Sequence, residues 1–113
     1  MKFLPERRPI SSYGDGGFRF GDHSHRGNLL VLPSGMRAWD GKDFSEVMSE
    51  KEEIDFLLVG TGAKREALDA GLSSSMEAAG ISLDCMSTSA AVATYNVMLA
   101  EGRRVAVAFI AVT

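Results

Sequence analysis

Between residues 54 and 112 the chain switches hydrophobic period four times, and that alternation leaves few folds open. Ile54-Asp55-Phe56-Leu57-Leu58-Val59 is a short, mostly apolar run that suits a buried strand. Ala67 to Ala79 has helical composition, although Gly71 and the serines at 73–75 predict a late start or a break. Ile81 to Met86 alternates like a strand, and Ser87 or Thr88 then offers an N-cap to a helix over 90–100 that Gly102 is placed to stop. Val105 to Val112 closes the segment as a fully buried strand. Strand, helix, strand, helix, strand predicts right-handed crossovers and a largely parallel sheet.

The first forty residues have another texture. Ile10 to Tyr13, Phe18-Arg19-Phe20 and Leu29 to Leu32 are short apolar or alternating runs, separated by Gly14-Asp15-Gly16-Gly17, Gly21-Asp22 and Pro33-Ser34-Gly35. Those separators are turn chemistry, so an antiparallel β layer is expected here. The 113 residues fit one domain, with a core over about 10–112 and residues 1–9 as an extended lead. Charge is split, with six Lys/Arg against four Asp/Glu in residues 1–40 and six against eleven in 41–113. An acidic chain without a basic run is a poor nucleic-acid binder. Cys85, the only cysteine, cannot form an internal disulfide, which favours a cytoplasmic setting. The start, MKFLPERRPI, lacks the apolar run of a signal or a membrane helix, so an integral membrane protein is not expected.

Four features hold candidate chemistry. Gly60-Thr61-Gly62 after a strand, with Asp84 further on, is like a dinucleotide fingerprint, but its third glycine would fall at Arg65; Lys64-Arg65 likewise breaks a P-loop. These glycines read first as a turn at the sheet's C-terminal edge and second as an anion or nucleotide site. His23 and His25, in Arg19-Phe20-Gly21-Asp22-His23-Ser24-His25-Arg26-Gly27, share a strand face and could meet one metal, but the spacing supplies no third ligand. Cys85 lies near a helix start, yet alternation with Ile81 and Leu83 puts it in a buried row. Arg103 and Arg104 follow a helix, where they complement its carbonyl end or clamp an anion. No catalytic residue, metal ligand or cofactor is assigned.

The ordered set Tyr13-Gly14-x-Gly16-Gly17-Phe18, Leu32-Pro33-Ser34-Gly35 with Trp39, Leu58-Val59-Gly60-Thr61-Gly62, Met86-Ser87-Thr88 and Thr94-Tyr95-Asn96-Val97 with Glu101-Gly102-Arg103-Arg104-Val105 resembles a small family of unknown function. That family includes the mitochondrial respiratory complex I assembly factor 3 and the adipogenesis-associated Mth-like proteins. The resemblance implies a three-layer α/β fold: a mixed, mainly parallel sheet, helices on one side and an additional N-terminal antiparallel β layer. It also implies a bacterial, cytoplasmic, non-enzymatic assembly or interaction factor with a protein partner in a membrane or respiratory complex, docking by a sheet edge or by apolar surface around Met36 and Trp39. The alternative is a small-molecule or anion site, open to enzymatic use, built on Gly60, Thr61, Gly62, Thr88 and Arg103. Tyr95 and Asn96 complete the candidate ligand or interaction residues, and weak self-association is left open. Ala93 stands where the family commonly has an arginine, which counts against an anion role there.

Overall fold

A computed structural model describes residues 6–113; the first five residues of the expected N-terminal lead lie outside the described residues. The N-terminal half opens with a three-stranded antiparallel meander of β1 (Ser12–Gly14), β2 (Gly17–Phe20) and β3 (His23–Arg26). Its first turn is the pair Asp15-Gly16, with φ of 52° and 79°, the two positive values of a type I′ hairpin. Next come β4 (Leu29–Leu32) and β5 (Gly35–Ala38), joined through Pro33-Ser34. The remainder is α1 (Ser45–Ser49), a 3-10 turn (Lys51–Glu53), β6 (Phe56–Gly60), α2 (Ala70–Ala78), β7 (Ser82–Met86), α3 (Thr88–Ala100) and β8 (Val105–Phe109).

Five strands make the central sheet in the order β5-β4-β8-β6-β7. β8, β6 and β7 are mutually parallel, while β4 runs against both β8 and β5. Four strands therefore share a direction and β4 alone opposes them. The mixed sheet, its helices and the separate antiparallel layer give the three-layer α/β architecture.

The helices divide between the two faces, which corrects the expectation of helices on one side, and crossover handedness explains why. From β6 the chain steps outward to β7, then returns across β6 to β8. Right-handed connections that travel in opposite directions must pass on opposite faces. Thus α2, through Met76, packs with α1, through Val47, in one core containing Leu30, Leu57, Ala106 and Ala108. α3, through Ala91, Val92 and Tyr95, packs in the other with Phe18, Phe20, Leu58, Val107 and Phe109. In β8 every residue is buried, and valine and phenylalanine alternate with alanine: the large side chains fill the face toward α3 and the small layer, the alanines the face toward α1 and α2. Phe18 meets Phe109 with ring centroids 5.2 Å apart, fastening the small sheet to the large one.

The last strand ends at Phe109, earlier than the apolar run to Val112 predicts. Past Phe109 the backbone groups find other partners: Ala111 N donates to Asn28 Oδ1 at 2.9 Å, and Val112 O accepts from Gly16 N at 2.8 Å. α2 starts late, at Ala70, in keeping with its glycine and serines.

Candidate functional site

The carboxyl ends of β6 and β7 lie at the point where successive crossovers diverge, one through α2 and the next through α3 on the opposite face, the place where ligands collect in open α/β sheets. Gly60, Thr61, Gly62 and Thr88 come together there. Gly62 and Thr88 exchange bonds, Thr88 N to Gly62 O at 2.8 Å and Gly62 N to Thr88 Oγ1 at 3.0 Å. The same hydroxyl donates to Ile110 O at 2.7 Å, while Ile110 N donates to Gly60 O at 2.8 Å and Thr61 N to Met86 O at 2.8 Å. Thr88 is fully buried. Three strand ends are thus laced by groups that a phosphate cradle would need free. The helix that a dinucleotide fingerprint requires does not begin at this turn either: α2 starts eight residues after Gly62, and Arg65 Nε donates to Cys85 O at 3.1 Å.

Beside this lacing is a cavity of about 660 Å³ on the α2 face. Its apolar walls are Trp39, Phe44, Leu68, Leu72 and Ile110, with Lys42, Asp69 and Ser75 adding polar groups. A volume in the range of roughly 300–1,000 Å³ with a few polar groups is what small-molecule sites offer. One wall is the loop 39–44, folded by its own side chains. Trp39 Nε1 donates to Asp43 O at 2.7 Å, and Asp40 Oδ1 accepts from the main-chain N–H of Lys42 and Asp43, each at 2.8 Å. Those two donors, Asp43 first, hold the Asp40 carboxyl below its ordinary value. Phe44, Leu68 and Leu72 were invisible as site residues in the sequence, because an apolar side chain lining a cavity looks like any other core residue.

The other candidates fall elsewhere. Tyr95 is fully buried on α3, donates to Arg8 O at 2.7 Å, and has its phenol pushed well above its ordinary value by burial, with the Arg7 charge acting against that. Asn96 clamps the backbone of Ile10, accepting from its N–H at 2.8 Å and donating to its carbonyl at 2.9 Å. The Tyr95-Asn96 pair therefore holds residues 8–10 against α3. Arg103 pairs with Glu101 at 3.2 Å, and the neighbouring Arg104 pairs with Asp55 at 3.3 Å. Both arginines precede β8 and so lie at the amino end of the parallel strands, opposite Gly60 and Thr88. The expected grouping of Arg103 with those residues is corrected by that placement.

Met36 is fully buried and Trp39 is 9% exposed, which corrects the expectation of an apolar docking surface around them: both are core. Around the histidines, Gly21-Asp22 is the turn and residues 23–26 form β3. His23 is exposed, whereas His25 is buried with Nε2 donating to Asn28 O at 2.8 Å and Nδ1 without a partner among the described residues. Cys85 is partly buried against the α2-side core. No helix among the described residues is long and apolar enough to cross a membrane.

A family model described as a protein of unknown function, DUF498/DUF598, matches residues 10–110. The chain is a member of the DUF498 family. This DUF498 protein is 40% identical over 103 residues to an uncharacterised protein of Rhodobacter capsulatus, covering 90% of the chain and 83% of that relative. It is 30% identical over 109 residues to NADH dehydrogenase [ubiquinone] 1 alpha subcomplex assembly factor 3 of Danio rerio, covering 89% of the chain but only 63% of that protein's length. Among solved structures, that of an outer membrane protein from Bartonella henselae superposes with a TM-score of 0.93 at 44% identity, covering 96% of this chain and 98% of that one.

Proposed function

We propose that this DUF498 protein is a non-enzymatic assembly factor that acts in the bacterial cytoplasm on a subunit of a respiratory or membrane complex. The observation that carries the reading is its 30% identity to a respiratory NADH dehydrogenase assembly factor across nearly the whole chain. It gains support from the fate of the polar residues at the sheet's carboxyl edge, whose donors are consumed in internal bonds. With Met36 and Trp39 buried, a sheet edge is the docking element left from the expected surface, and of the two edges β7 is the more open: none of its residues is buried, whereas Gly35 and Met36 of β5 are. Ser82 N donates to Asp55 O and Met86 O accepts from Thr61 N, so the alternate residues Leu83 and Cys85 turn their main-chain groups outward; the Cys85 carbonyl is taken by Arg65 Nε, which leaves the two N–H groups and the Leu83 carbonyl for a partner. Such an edge accepts an extended partner segment.

The test is affinity purification of the tagged protein from its native cell, beside a Cys85→Pro variant, which removes an outward N–H while sparing the bonds to β6. Recovery of NADH dehydrogenase subunits by the wild type and their loss in the variant is the expected result. Recovery of no respiratory or membrane subunit, even after cross-linking, overturns it.

The cavity beside Trp39 favours a second reading, small-molecule binding at the C-terminal edge. A metabolite screen by thermal shift supports it if a stabilising compound loses its effect in Leu72→Trp, which fills the space; a screen without such a compound removes it.

A further inference from the structure

The antiparallel register sets three rows across the small sheet: Ser12, Arg19 and Ser24; then Tyr13, Phe18 and His25; then Gly14, Gly17 and Arg26. Side chains alternate along a strand, so the first and third rows share a face. Phe18 and His25 are buried, which leaves the rows containing Arg19 and Arg26 facing out. Because Gly14 and Gly17 have no side chain, that outer face is hollow, with a volume of about 460 Å³. Gly17 is fixed by the curl of the sheet, since a Cβ there would lie 2.3 Å from His25 O.

The two guanidiniums over this glycine floor are diagonal neighbours, about 7 Å apart at Cβ. Neither has a carboxylate within ion-pair range among the described residues. Arg26 Nη1 reaches only the main-chain oxygen of Asp15, at 3.4 Å, and the side chains of Arg19, Ser12 and Ser24 donate to no described residue. Asp15, at the hairpin tip, is the one acidic residue lining the hollow, set against two arginines.

We propose that this hollow binds a tetrahedral oxyanion, the phosphate of a phosphate monoester or of an anionic lipid headgroup. One guanidinium fork satisfies a planar carboxylate by itself. Two forks and two hydroxyls brought in from three strands supply donors from several directions, which matches the oxygens of a tetrahedral group. The chemistry concentrated in residues 19–27 thus resides in the arginines at its ends and not in the histidines between them. The site lies on a different layer from the β7 edge and does not depend on the assembly reading.

The experiment follows amide chemical shifts of ¹⁵N-labelled protein during titration with inorganic phosphate, chloride keeping ionic strength constant, and in parallel co-sedimentation with phosphatidylglycerol–phosphatidylcholine vesicles against phosphatidylcholine alone. Saturable shifts confined to the amides of residues 12–14, 17–19 and 24–26 are expected, weakened about tenfold by Arg19→Ala or Arg26→Ala. The lysine variants should recover only part of that loss, and Arg103→Ala should lose nothing. Both arginines are exposed, so an unchanged spectrum elsewhere verifies the fold of each variant. Shifts with free phosphate identify a soluble ligand, and sedimentation alone, lost in the double alanine variant, identifies the headgroup. Binding in neither arm, or binding that the double variant retains, overturns the proposal.

Discussion

Thr88 spends one hydroxyl on two strand ends, accepting from Gly62 N and donating to Ile110 O in a fully buried position. Thr88→Val keeps the shape and orphans both partners, so it should cost about 1–3 kcal/mol, read as a lower urea midpoint. Gly60 answers to the same contact from the other side. A Cβ there would lie 3.0 Å from Thr88 Cα and 3.2 Å from Ala91 Cβ, both on the rigid start of α3. Gly60→Ala therefore forces the helix off the sheet and should also cost about 1–3 kcal/mol by overpacking. The sequence exposed the position but left its purpose open, because a glycine after a strand serves a phosphate and a helix backbone equally well. Tyr95 adds a pH dependence. Burial raises its phenol above the ordinary value of 10, so the folded state holds the proton that the unfolded chain releases. That contribution is complete below pH 10 and is lost as pH climbs beyond it. Urea midpoints should fall more steeply above pH 10 in the wild type than in Tyr95→Phe, which itself costs about 1 kcal/mol at neutral pH through the lost bond to Arg8 O. Parallel curves would reject this role.

At the level of elements, α3 was the most legible part of the chain. Ser87 was readable as its cap, and its side chain does accept from Ala90 N at 3.2 Å; a stretch of local pattern carried the whole instruction. Arg104 shows the opposite case. It follows the same helix, yet it reaches Glu52 O and the Asp55 carboxylate, partners some fifty positions away that no local spacing announces. Asn96 belongs with Arg104, since its side chain completes the backbone of Ile10, 86 residues earlier. Asn96→Ala strips both bonds from a buried residue and should release the segment before β1. The amide of Ile10 should then exchange at least about tenfold faster, corresponding to one or two lost bonds, while the amides of β6 and β8 keep their protection. Equal acceleration everywhere would mean that Asn96 supports global stability and not this one element.

Across the whole molecule, the strand pattern of the C-terminal half was legible because each run has one period, but the division of helices between faces was not, since it follows from strand order. Nothing local in Val105 to Phe109 says that this final strand inserts between β4 and β6. The consequence is that the end of the chain is the middle of the fold. β8 supplies Val105, Val107 and Phe109 to one core and Ala106 and Ala108 to the other, so the two cores share one wall. Without it β4 and β5 lose contact with β6 and β7, and both faces open to water. A chain ending at Arg104 should therefore have no cooperative urea transition and no fixed near-ultraviolet signal from Trp39, although Trp39 and most of its neighbours precede the cut. If the shortened chain kept a sharp transition, the α2-side core would be self-sufficient and β8 only a late addition. Loss of both signals together would show that neither face forms until the last strand is in place.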